Sequence, residues 1–172
     1  MRKIITACVV VVMFFLYFSV RAQNSGGNGK ASVVSEIAVD TGNGFGSTGM
    51  FARRFLNTDV SAGTDITYVQ SAVNGDSFKI NTTGVYSISD TDFSTNGDTF
   101  GISLNSDPAT EITNLQAGNR LCSSSMDTFH LQSCTVALKL NAGDIVRAHR
   151  STGAIGATDA SPFVRFVITR VD

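Results

Sequence analysis

The chain has 172 residues, 42% hydrophobic and 16% charged, with a formal net charge of −1. That length supports one core of ordinary size. Thirteen Lys and Arg stand against fourteen Asp and Glu, with no basic run; this weighs against nucleic acid or an anionic membrane surface as the main partner, since both need clustered positive charge.

The chain opens on Arg2 and Lys3, an apolar run over 4–20, and small residues at the −3 and −1 positions of Val20-Arg21-Ala22. This is the layout of a secretory signal, 1–22, cleaved after Ala22. An uncleaved anchor would be strained, because the 17-residue run spans about 25 Å against a hydrocarbon core of about 30 Å. Cys8 lies inside the run and not at its end, which disfavours lipid attachment. Cleavage removes Arg2, Lys3 and Arg21 and leaves ten basic against fourteen acidic side chains. The secreted portion is then mildly acidic, with no stable membrane insertion expected.

Residues 23–50 are rich in Gly, Asn and Ser and read as a flexible leader. The one apolar stretch in this region, 31–39, is expected to form a helical turn or an edge strand. No Gly-X-Y repeat encodes a collagen stalk.

The pattern then changes to short β-rich runs separated by Gly, Asn, Asp and Ser, so 51–172 is read as one β-sandwich domain. The runs are 51–58, 66–69, 77–80, 85–93, 99–105, 120–124, 130–140, 145–151 and 163–171. None sustains a helical period, and Pro108 and Pro162 fall between runs, where a missing N–H does no harm. The clearest alternation is Cys134, Val136, Leu138 and Leu140 against Thr135, Ala137 and Lys139. Asn141-Ala142-Gly143-Asp144 then reverses the chain, and 145–150 is expected to return as the second strand of a long hairpin.

Short strands without crossover helices imply an all-β fold, an antiparallel two-sheet β-sandwich. A jelly roll is favoured over an immunoglobulin-like sandwich, because Trp is absent and the cysteines lie too close together. The inner-face candidates are Tyr86, Ile88, Phe100, Ile102, Leu104, and Phe163 or Phe166. Cys122 and Cys134 fit a disulfide in an oxidising compartment, worth about 3 kcal/mol on the chain-entropy model. The alternative is two separate thiols, with Cys134 a small apolar residue on its strand.

Three segments in order carry a resemblance. Gly84-Val85-Tyr86-Ser87-Ile88, the run FGISLN at 100–105, and Leu138-Lys139-Leu140-Asn141-Ala142-Gly143-Asp144-Ile145-Val146 resemble the Gly-x-Tyr strand, the following Asn-ended strand and the Gly-Asp hairpin of C1q/TNF-like jelly-roll domains. The closing run, 163–171, resembles that family's last strand, and the likeness covers 51–172. It is nearest to bacterial and phage-encoded members. The resemblance implies a homotrimer packed about a threefold axis and a role in binding instead of catalysis. It places Phe78, Tyr86, Phe100, Phe163 and Phe166 in the assembly core. The chain departs from better-known members in lacking a stalk and core tryptophans, which leaves trimerisation to the globular heads.

Other chemistry is thinly supported. His130 and His149 are the only histidines and supply no third metal ligand. Asp90, Asp92 and Asp98, with Asn96 among them, could hold calcium at a strand end. No EF-hand spacing is present, and turns require the same residue types; the reading is that no cofactor is needed. No Gly-x-Ser-x-Gly elbow occurs, and Glu36 and Glu111 are the only glutamates, so an enzyme is not expected. A lectin would want an exposed aromatic platform, for which Tyr68 is the one candidate. Arg53-Arg54, Arg147 and Arg150 read as strand-surface charge that opposes aggregation, the alternative being contact with an acidic partner or a neighbouring protomer. Asn81-Thr82-Thr83 fits a glycosylation acceptor. The combined expectation is a secreted, non-catalytic interaction or adhesion module, homotrimeric, binding an extracellular protein or glycan. Its alternative is a lectin-like, calcium-dependent carbohydrate-binding module.

Overall fold

The computed structural model describes residues 35–94, 97–128, 130–151 and 160–172. The signal, its cleavage after Ala22, the first part of the leader and Asn96 lie outside them. The described residues form ten strands: β1 Glu36–Phe45, β2 Arg53–Ala62, β3 Ile66–Val69, β4 Ser77–Ile80, β5 Gly84–Ser94, β6 Asp98–Leu104, β7 Arg120–Met126, β8 His130–Leu140, β9 Ile145–Arg150 and β10 Ala160–Arg170. A single 3₁₀ turn, Ile112–Asn114, interrupts the β6–β7 connection. The strands form two five-stranded sheets, sheet 1 in the order β2-β1-β10-β5-β8 and sheet 2 in the order β3-β4-β9-β6-β7. This is an all-β jelly roll, and all the described residues belong to one compact unit, Val33–Asp172. Among them no helix is long and apolar enough to cross a membrane.

The core lies between the sheets. Along β5 the period is strict, with Tyr86 and Ile88 buried and Val85, Ser87 and Ser89 turned out. Phe78 of β4 stacks on Phe166 of β10 at 4.4 Å between ring centroids, and Phe55 of β2 tilts against Phe166 at 6.1 Å. Of the two candidates on the last run, Phe166 is inside and Phe163 is outside.

The domain begins earlier than residue 51. β1 lies inside the stretch expected to be leader, between β2 and β10 and not at an edge, with Ile37, Ala38 and Val39 buried. The glycines that read as linker serve close packing there. A Cβ on Gly42 would stand 3.0 Å from the Arg53 Cζ and 3.2 Å from a Val164 methyl, and the β1 register breaks between Asp40 and Gly42. Pro162, expected between runs, falls within β10. It lies where the pairing with β1 breaks and before the pairing with β5 begins at Arg165, so no ladder bond needs its N–H.

The long hairpin does not form. β8 pairs with β5 in sheet 1, whereas β9 pairs with β4 and β6 in sheet 2. The turn is where it was expected, with Gly143 at φ +98°, but it carries the chain across the sandwich. Gly143 N–H donates to the Ile80 carbonyl at 2.8 Å and Ile80 N–H to that of Asp144 at 2.9 Å, so the reversal is anchored on β4. The Cys122–Cys134 disulfide is present, with Cα atoms 6.2 Å apart. It joins β7 to β8, the last strands of the two sheets, and so ties one open side of the sandwich.

Candidate interaction surface

The outward face of sheet 1 is built by the residues that alternate with the core set. β5 contributes Val85, Ser87, Ser89, Thr91 and Phe93, and β8, register-matched to it, contributes Lys139, Ala137, Thr135, Ser133 and Leu131. The middle of this face is a ladder of short hydroxyls, with Thr91 Oγ1 2.7 Å from Ser133 Oγ and the Thr135 hydroxyl donating to Ser89 Oγ at 3.1 Å. One end is apolar. Leu131 lies opposite Phe93, and Phe93 meets Phe163 of β10 at 5.8 Å between ring centroids. Phe163 is 60% exposed and Leu131 53%.

The side of the sandwich closed by the disulfide is a second surface. Leu121 and Cys122 of β7 and Cys134, Val136 and Leu138 of β8 pack on the core and remain only partly buried, because among the described residues no strand lies beyond either edge. An outward sheet face and an apolar edge are thus both presented by one chain.

The residues expected in the assembly core divide sharply. Phe78, Tyr86, Phe100 and Phe166 have no exposed surface in the single chain, so their contacts are spent inside the protomer and cannot form the centre of an assembly. Only Phe163 is on the surface. Period-two alternation identifies these rings as buried but is silent on whether the burying partner is the same chain.

The acidic cluster is inside the sandwich and not at a loop. Asp90 and Asp92 are on the inner face of β5. Asp92 is ion-paired with Arg53, and Arg150 Nε is 2.8 Å from an Asp98 carboxylate oxygen and 3.8 Å from one of Asp92. Ser151 donates its hydroxyl to Asp98. The Phe45 ring lies under both guanidinium groups, at 5.0 Å from Arg53 and 5.6 Å from Arg150. The cations that the calcium reading supplied from solution are in place as arginines. Among the described residues no group of three His, Cys, Asp or Glu is placed to hold a metal. Arg53 and Arg150 are therefore not strand-surface charges. Arg147 is half-buried and donates to the Ser106 carbonyl at 3.0 Å.

His130 is exposed on β8, whereas His149 on β9 in the other sheet is fully buried. Ser106 donates its hydroxyl to Ser103 Oγ at 2.7 Å, and Ser103 Oγ lies 2.7 Å from His149 Nδ1. Burial first and Arg147 second hold this imidazole down at a pKa of about 4. A serine beside a histidine is the start of a nucleophile pair, but Ser103 and His149 have no exposed surface. Nothing in the spacing of Ser103, Ser106 and His149 announced this group. Glu36 accepts a hydrogen bond from Thr169 Oγ1 at 3.1 Å, and Glu111 accepts one from Asn114 at 3.2 Å. Tyr68 is no open platform: it stacks on Phe78 at 5.1 Å and donates its hydroxyl to Asp76 at 2.6 Å. Asn81 is exposed, and its amide donates to the Thr64 carbonyl and to Thr67 Oγ1, each at 2.8 Å.

No family model matches the sequence, and no curated protein matches it closely enough to count as a relative. Solved structures do resemble the fold. The crystal structure of murine APRIL at pH 8.0 superposes with a TM-score of 0.58 at 12% identity, covering 80% of this chain and 99% of that one. The murine APRIL structures at pH 8.5 and pH 5.0 give 0.57 and 0.51, each at 14% identity with the same coverage. At these identities the likeness is one of fold, the TNF-type jelly roll. It gives no support to a bacterial or phage-type membership.

Proposed function

We propose that the chain is a secreted, non-catalytic interaction module that assembles as a homotrimer and binds an extracellular partner, as its TNF-like fold and motifs imply. The observation that carries this reading is the pairing of two dissimilar exposed surfaces on one chain. These are the outward face of sheet 1, ending in Phe93, Leu131 and Phe163, and the partly buried edge made by β7 and β8. An edge that packs on the face of the next copy is a head-to-tail contact, and such contacts are finite only when they close into a ring. Three members is the count that the family resemblance implies. The buried state of the Ser103–His149 pair, which leaves no route for a substrate, supports the non-catalytic part.

Sedimentation equilibrium on the purified protein tests the assembly. The expected result is a mass three times that of the chain, unchanged on dilution through the micromolar range. A single-chain mass throughout that range would overturn the reading.

A further inference from the structure

The inner face of β5 changes character half way along. Tyr86 and Ile88 lie in the apolar core, and Asp90 and Asp92 follow at the same spacing, point the same way and are each 1% exposed. The groups around Asp90 come from every neighbouring element. Asp92 is on β5 itself, Arg53 on β2 and Arg150 on β9. Phe166 of β10 and the disulfide-bonded Cys134 of β8 are its cross-strand partners, and Asp98 of β6 lies behind Arg150. Both guanidinium groups are engaged elsewhere, Arg53 with Asp92 and Arg150 with Asp98 and Asp92. Neither Asp90 oxygen meets a hydrogen-bond donor among the described residues.

We propose that Asp90 carries a proton in the folded chain, so that this end of the sandwich takes up a proton on folding and loses stability as pH rises from the acid range toward neutral. Three carboxyl groups face two guanidinium groups here, and one proton makes the cluster neutral. A bare carboxylate out of solvent, with no donor to replace water, is the costliest alternative. Burial first and the charge of Asp92 second hold the Asp90 pKa well above its ordinary 3.8, against the smaller opposing pull of Arg53 and Arg150.

The sign follows from linkage. In the unfolded chain Asp90 ionises near its ordinary value, about 3.9, while in the folded chain it keeps its proton to higher pH. Below the ordinary value the contribution is fully present. Between the two values the folded state holds one more proton, and the unfolding constant rises by up to about tenfold per pH unit. Through the raised value the contribution is lost. This concerns the single chain and stands whether or not the chain assembles.

The test compares denaturant unfolding of the wild type and Asp90→Asn, with the disulfide intact, at steps between about pH 4 and pH 8, across the acid-to-neutral range in which linkage acts. Asn keeps the shape and cannot ionise. The ratio of the two unfolding constants is expected to grow with pH, by up to about tenfold per unit while the folded acid stays protonated. Parallel profiles would overturn the proposal. A ¹³C titration of the assigned Asp90 carboxyl in the folded wild type decides independently if the variant does not fold. A carboxyl that ionises near 4, the ordinary Asp range, in a chain still folded would overturn it as well.

Discussion

His149 is buried among hydroxyls and stays neutral because the groups nearby repay only part of the loss of its hydration as a cation. The hydroxyl chain from Ser106 through Ser103 ends on Nδ1, which suits an unprotonated acceptor nitrogen. Its pKa falls from 6.5 to about 4, chiefly through burial and then through Arg147, with smaller opposition from the Thr110 and Pro108 carbonyls and from Asp107. A depressed histidine contributes stability that is whole above the unfolded value and is lost as pH falls through the folded one. This contribution should therefore fall from about pH 6.5 to about pH 4, by between about 3 and 4 kcal/mol at roughly 1.4 kcal/mol per unit. Urea unfolding of His149→Gln over that window should lack this acid-side fall, and an unchanged profile would refute the assignment. The Asp90 contribution has the opposite sign, so the two variants separate the two protons. At this scale the sequence told which residues are buried, as for Tyr86 and Phe100. It did not tell which polar groups are buried with them. Arg53 and Arg150 look like any strand-surface arginine until β2 and β9 are seen to turn them toward Asp92 and Asp98.

At the scale of elements, strands were legible and their partners were not. The alternation along 130–140 and the Gly143 reversal are local facts, set by side-chain period and by the cost of positive φ. Whether the next strand joins the same sheet depends on Ile80, whose backbone bonds to the turn lie more than sixty residues away in sequence. β1 was legible only as a helical turn or an edge strand over 31–39, for a related reason: Gly42 was read as conformational freedom, whereas the approach of Arg53 and Val164 requires it. The disulfide was legible as a pair of cysteines, but its placement across the two sheets was not. A bridge with a sequence separation of 12 contributes about 3 kcal/mol on the chain-entropy model. The double variant Cys122→Ser, Cys134→Ser should keep the β-sheet circular dichroism spectrum and lose about that much stability in urea. A loss below about 1 kcal/mol would show that β7 and β8 hold the open side by packing alone.

For the whole molecule, the question is whether the face of sheet 1 and the β7–β8 edge meet each other or each meet their own kind. Phe163→Asp charges the apolar end of the face at a side chain 60% exposed, so the single chain should fold with little change in stability. Val136→Lys charges the edge at a partly buried position, where the aliphatic stem of lysine keeps much of the apolar contact while its ammonium reaches water. Each variant alone should sediment as a single chain. Mixed in equal amounts, they retain one intact contact between them, the edge of the face variant against the face of the edge variant. A head-to-tail contact therefore predicts a heterodimer in the mixture that cannot close into a ring. If like surfaces paired instead, each variant would keep its own undamaged surface. Both would then form homodimers, and mixing would add nothing. Sedimentation of the two variants, separately and together, distinguishes the outcomes, and homodimers in both separate samples would refute the ring.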